Sequence, residues 1–136
     1  MHSLKVLLIE PHPYRLMALH QTLNAHGVFD VRVAESGAQA QGVLARRGAV
    51  DIAICDVLAG EYDGVALVRY LARHALAASL IILSGARRSV LDGASDLVEQ
   101  SGLPVLGVLP TPACPLALHR LLLGYRTRLD APAQVA

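Results

Sequence analysis

An α/β fold with a five-stranded parallel sheet and helices on both faces is what this sequence predicts. Three observations carry that expectation. Short apolar runs alternate along the chain with segments of helical spacing. The connections between them are short, as βα units require. The runs are near-continuously apolar, the mark of strands buried on both faces. Right-handed crossovers leave few topologies for five such units, and the order 2-1-3-4-5 is the common one, giving a doubly wound, flavodoxin-like sheet.

Each element has its own justification. Lys5 to Ile9 is a short apolar run that suits a buried strand, interrupted by Pro11, His12 and Pro13. Leu16, Leu19 and Leu23 then recur at helical spacing until Gly27 ends the helix. Val31 and Val33 alternate with Arg32, as in a strand with one more exposed side. Ser36 with Gln39 three residues on forms a capping box. Ala40, Val43 and Leu44 share one face of the helix it opens, and Gly48 stops it. Ile52 to Cys55 is the third strand; Val65, Leu67, Val68 and Leu71 belong to a third helix with Asp63 as its N-cap. Leu80 to Leu83 is a fourth, purely apolar strand. Ser89 opens a helix containing Val90, Leu91, Ala94, Leu97 and Val98, with Gly93 in its interior. Val105 to Leu109 is the fifth strand, and Pro115 fits the first turn of a last helix running to about Tyr125. The expected domain therefore spans residues 1–126, with 127–136, Ala/Pro-rich from Asp130 onward, as a flexible tail or the start of a linker.

Composition excludes several classes. The chain has 136 residues, one domain of ordinary size, with 54% hydrophobic and 17% charged residues, so much of it is buried in its own core or against a partner. A net charge of +1 leaves no electrostatic footprint for nucleic acid. Cys55 and Cys114 form neither a disulfide framework nor metal-ligand spacing, and Cys55 reads as a small core residue. The longest uncharged stretch, Leu103 to Leu118, contains four prolines that would break a membrane-spanning helix. The apolar run at the N-terminus is too short for a signal peptide, which points to the cytoplasm.

The candidate site follows from topology. In the order 2-1-3-4-5 the ends of strands one and three are neighbours at the switch point, where open α/β sheets bind ligands. Glu10 and Asp56 stand at those two ends, with Ser84 after strand four and Pro110-Thr111-Pro112 after strand five. A carboxylate held on a short loop at the top of a sheet suits a nucleophile or a metal ligand; equally, Asp commonly ends a strand as a turn residue. A nucleotide-binding or enzymatic flavodoxin-like domain is disfavoured. Nothing from Glu10 to Leu16 is glycine, and the histidines are scattered rather than set in a triad.

With these residues in view, the chain resembles the receiver domain of two-component response regulators, from Lys5 to about Leu123. The strand Asp51 to Asp56, the pair Asp63-Gly64 and the run Ile81-Ile82-Leu83-Ser84 carry the resemblance. Leu103 to Pro112, read with the Asp51-to-Asp56 strand, looks like the receivers of EAL-type cyclic-di-GMP phosphodiesterases. The resemblance implies that Asp56 is the phosphoacceptor for a histidine kinase. It implies that Glu10, Asp56 and the Leu58 carbonyl would hold Mg²⁺, and that Ser84 is the switch hydroxyl. It also implies an output domain or partner protein under the receiver's control.

The sequence departs from that family pattern in four places. The acidic pair reads Glu10-Pro11, so one carboxylate is missing. The lysine after strand five reads Thr111, or Leu109 in an alternative register, and Lys5 is the only lysine in the chain. The strand-five aromatic is absent. The loop after Asp56, Val57-Leu58-Ala59-Gly60, lacks the family's proline. Arg87 and Arg88 are candidates to lend positive charge and His12 to serve as a substitute ligand; each also reads as a solvated side chain. Charges about 4 Å apart interact by roughly 4 kcal/mol gross at an effective dielectric of about 20. A net loss of about 1.4 kcal/mol already weakens a cation tenfold. The expectation is a degenerate pseudo-receiver with weak Mg²⁺ binding, serving protein interaction and homodimerisation. The alternative is a working phosphoacceptor in a phosphorelay. In the last helix, Leu118, Leu121, Leu122 and Tyr125 can face the sheet, which leaves Leu116 and Leu123 beside Arg120 as a second apolar strip for an interface.

Overall fold

The computed structural model describes residues 3–56, 64–84, 96, 98–111 and 113–130. The elements run β1 (Lys5–Ile9), α1 (Pro13–Ala25), β2 (Asp30–Ala34), α2 (Gly37–Arg47), β3 (Val50–Cys55), α3 (Gly64–Arg73), β4 (Ala77–Ser84), β5 (Val105–Pro110) and α4 (Pro115–Asp130). The sheet is five-stranded in the order β2-β1-β3-β4-β5, and every pairing is parallel. This is the doubly wound topology the sequence predicts.

Side-chain alternation along each strand divides the core in two. Leu7, Ile9, Ala53, Cys55, Leu80 and Ile82 pack against Ala40 and Leu44 of α2 and against Leu67, Val68 and Leu71 of α3. Val6, Leu8, Ile52, Ile54, Ile81 and Leu83 pack on the other face against Leu19 and Leu23 of α1 and Leu118, Leu122 and Tyr125 of α4. Beyond their first residues the central strands are buried on both faces, from Val6, Ile52 and Ser79 onward, which is why they carry no polar alternation.

Three local readings are corrected or extended. In β2 the exposed side is not Arg32: Arg32 is 5% exposed and Val33 is 40% exposed. Arg32 Nη1 donates to the carbonyls of Arg47 (3.0 Å) and Gly48 (2.9 Å), and Nε faces Asp30 at 3.4 Å. The last carbonyls of a helix lack intrahelical partners and favour a cation. Satisfying the end of α2 therefore outweighs the alternation pattern. At the other end of α2, Ser36 Oγ accepts from the Gln39 N–H, but the Gln39 side chain accepts from the Glu35 N–H, one residue before the expected partner. The final helix continues to Asp130, past the expected end near Tyr125.

β5 is an edge strand and is only half buried. Its pairing with β4 shifts register between Leu80 and Ile81, which pair with Val105 and Gly107. Gly107 has a packing reason: a Cβ there would stand 2.8 Å from both Leu121 Cδ atoms of α4. The expected Asp63 cap, the Leu58 carbonyl, Arg87, Arg88 and most of the helix opened by Ser89 lie outside the described residues; residues 98–100 are helical and Val98 is buried.

Candidate functional site

Parallel register assembles the site. Ile9 pairs with Ala34 on one side and Cys55 on the other, so Glu10 and Asp56 leave the sheet side by side. Cys55 pairs with Ile82, and Ser84 at the end of β4 pairs with Pro110 of β5. Glu10, Asp56, Ser84 and Thr111 thus meet at the carboxyl edge of the sheet, as the strand order requires.

Their environments differ. Glu10 is buried, at 2% exposure. Its N–H donates to the Ala34 carbonyl at 3.0 Å, and its Oε1 accepts from the His12 N–H at 3.4 Å. Burial raises the Glu10 pKa above its ordinary value. The Asp56 charge pushes the same way, while the His12 N–H and the charges of Arg15 and His12 pull it back. Ser84 is also buried, and Asp56 is half exposed. Cys55, one residue before Asp56, is wholly buried and its thiol is pushed up to about 12, chiefly by that burial. It is a core residue, as its position in the strand suggests, and chemically inert.

A pocket of about 80 Å³ lies beside Glu10, lined by Arg15, Leu19, Leu83, Thr111 and Ala113 among others. Thr111 therefore stands on the pocket wall near Glu10. Lys5 stands away from this pocket: it begins β1, whose opposite end carries Glu10, and its N–H donates to Asp51 Oδ2 at 2.8 Å.

Arg15 is the residue the sequence reading missed. Its Nη1 lies 3.9 Å from Glu10 Oε1. A signal for it was present. Pro13 fixes the first turn of α1, which places Arg15 in that turn, where the helix dipole disfavours a cation. No acidic residue occupies that turn, so Glu10, just before the helix, is the compensating charge.

The donors Glu10 and Asp56 are of the hard-oxygen type that a hydrated Mg²⁺ takes, and a cation would relieve their mutual repulsion. Among the described residues, no three His, Cys, Asp or Glu side chains group to hold a metal ion. No helix there is long and apolar enough to cross a membrane.

Comparison with known proteins agrees with this geometry. The family model of the response regulator receiver domain matches residues 6–100. The cyclic di-GMP phosphodiesterase RocR of Pseudomonas aeruginosa is 29% identical over 136 residues, covering 99% of this chain and 35% of that protein. A response regulator from Colwellia psychrerythraea superposes with a TM-score of 0.75 at 23% identity, covering 93% of this chain and 99% of that one. The Vibrio cholerae chemotaxis protein CheY4 does so with a TM-score of 0.75 at 19% identity, covering 91% and 98%. Receiver domains bind Mg²⁺ at their acidic site and act with histidine kinases and output domains. Five parallel strands in this order, a carboxylate after the third and a family match over most of the length lead to one conclusion: the chain belongs to the response-regulator receiver domain family.

Proposed function

We propose that this chain is a degenerate receiver, a pseudo-receiver that keeps the fold as a protein-interaction module and has lost most of the phosphorylation switch. A receiver domain by itself is a signalling module and not an enzyme. The observation that carries the reading is Thr111, a neutral side chain on the pocket wall near Glu10, with the chain's single lysine at the other end of β1. Transfer of a phosphoryl group to Asp56 concentrates negative charge between two carboxylates. Preorganised positive charge is usually the largest contribution to stabilising such a transition state. Pro11 removes one acid that would help hold a cation, and Thr111 removes the lysine. Mg²⁺ binding through Glu10 and Asp56, with the Leu58 carbonyl as the family's third ligand, is correspondingly weak. The test is incubation with acetyl phosphate and Mg²⁺ followed by intact mass. Little adduct is expected; rapid, near-stoichiometric labelling that disappears in Asp56→Asn would overturn the reading.

The retained Asp56, Ser84 and Glu10 favour a second reading, a working phosphoacceptor with a slow switch. In that case an Asp56 oxygen attacks the donor phosphorus, the donor's P–O or P–N bond breaks, and an acyl phosphate forms. The Ser84 hydroxyl would then contact the phosphoryl oxygens.

The interaction surface is assigned to α4 and β5. Leu116 and Leu123 are 56% and 46% exposed, seven positions apart and flanking exposed Arg120, and Val108 of β5 is exposed as well. We assign this strip to a homodimer or to an output domain. The similarity to a cyclic di-GMP phosphodiesterase, of which the chain covers about a third, makes an output domain acting in cyclic di-GMP turnover the candidate partner. Light scattering across a concentration series should show a dimer that Leu116→Glu/Leu123→Glu dissociates; a strict monomer at high concentration would end the homodimer assignment.

A further inference from the structure

We propose that Arg15 is a built-in counter-ion of the acidic site: its guanidinium compensates Glu10 from within the chain and so competes with a divalent cation for that carboxylate. The inference rests on the receiver reading of the site and goes beyond it. An ion pair between two exposed side chains contributes little, but this pair is not of that kind. The Glu10 side chain is 3% exposed, and Arg15 Nη1 stands 3.9 Å from its Oε1. A buried carboxylate that loses its partner is costly, so this guanidinium matters more than its own exposure suggests.

Two further observations support the assignment. A cation in the first turn of α1 opposes the helix dipole, and no acid on that turn explains it; Glu10 does. Arg15 and Thr111 line the same pocket as Glu10. The positive charge in this pocket thus comes from α1 and stands against Glu10, without replacing the lysine missing from the strand-five side.

The consequence is competitive. A cation arriving at Glu10 and Asp56 meets a carboxylate already partly neutralised and a neighbouring positive charge. Removing Arg15 should therefore strengthen divalent-cation binding. A residue that merely supported the fold would have the opposite effect or none.

The experiment is a Mg²⁺ titration of the full chain followed by amide chemical shifts, with the thermal midpoint recorded in the same metal-free samples. Arg15→Gln should bind Mg²⁺ about three- to tenfold more tightly than wild type. Arg15→Lys should return to within about twofold of wild type, because it restores the charge. Arg15→Gln/Glu10→Gln should lose the gain. Arg15→Met serves as a second neutral variant should the glutamine fail to fold. Unchanged or weaker Mg²⁺ binding in a folded Arg15→Gln or Arg15→Met would overturn the assignment. Those outcomes are distinct from failure of the pseudo-receiver reading, which is decided by labelling of Asp56 in wild type.

Discussion

β3 carries a carboxylate at each end, and the two are treated in opposite ways. Asp51, at its start, accepts from the Lys5 N–H at 2.8 Å and from the Tyr125 hydroxyl at 3.2 Å. Its carbonyl accepts from Ser79 Oγ at 3.0 Å. Asp56, just past the other end, stands beside buried Glu10, whose pKa it helps to raise. Both aspartates are half exposed. One end of the sheet surrounds its acid with donors and ties β1, β3, β4 and α4 together. At the other end Asp56 adds to the cost of ionising buried Glu10, and the Arg15 and His12 charges moderate it. The first arrangement stabilises; the second stores electrostatic free energy, as functional sites do.

That contrast can be broken from the structural side first. Arg32→Ala should cost the most, about 3 kcal/mol, because two carbonyls at the end of α2 lose a charged donor in a buried setting. Asp51→Ala should cost about 2 kcal/mol by leaving the Tyr125 hydroxyl and the Lys5 N–H without their acceptor. Asp56→Ala, in the same urea denaturation series, should leave stability unchanged or raise it by up to about 1 kcal/mol. Equal losses at Asp51 and Asp56 would erase the distinction between the two ends.

Glu10 sharpens the comparison through pH. Its folded-state pKa is raised above the ordinary 4.5. The folded protein therefore binds its proton more tightly, and the associated stability is fully present below 4.5 and lost as pH rises through the folded value. At pH 7 Glu10→Gln should be more stable than wild type. The two melting temperatures should converge near pH 4. A wild type more stable than Glu10→Gln at pH 7 would mean that Arg15 and His12 outweigh burial.

The smallest effect is expected where α1 meets α4. His26 packs against His119 with ring centroids 4.4 Å apart and the planes tilted by 42°. Burial, then the His119 charge, lowers the His26 pKa from its ordinary 6.5. A lowered folded value means the unfolded chain binds the proton first, so this contribution is present above 6.5 and lost as pH falls toward the folded value. Thermal midpoints between pH 7.5 and 5.5 should fall slightly more for wild type than for His26→Gln.

Much of this was legible in the sequence, for physical reasons that also mark where legibility stops. Central strands buried on both faces must be apolar throughout, so β1, β3 and β4 declared themselves. Topology then placed Glu10, Asp56 and Ser84 at one edge without reference to any side-chain contact. Leu118, Leu121, Leu122 and Tyr125 were assigned to the core side of the last helix and Leu116 and Leu123 to the open side by their spacing; Leu118, Leu122 and Tyr125 are buried, Leu121 is partly buried against them, and Leu116 and Leu123 are exposed. Arg32 was misplaced because alternation says which face a residue occupies, not whether a helix end waits there for a donor. Arg15 was missed because ion pairing across a strand–helix junction has no period. It could have been found only by asking why a cation stands in a first helical turn that has no acid. The length of α4 beyond Tyr125 was missed because Thr127 and Arg128 give no stop signal and helix ends are weakly encoded.

The central claim is that Pro11 and Thr111 silence an otherwise well-placed Asp56. The direct measurement compares wild type with Pro11→Asp/Thr111→Lys, both incubated with acetyl phosphate and Mg²⁺ and sampled over time by intact mass, with Asp56→Asn in each background as the control. The account predicts little adduct on wild type and labelling of the restored variant at least about tenfold faster, equivalent to about 1.4 kcal/mol of recovered transition-state stabilisation. Wild-type labelling as rapid as that of the restored variant, and lost with Asp56→Asn, would contradict it.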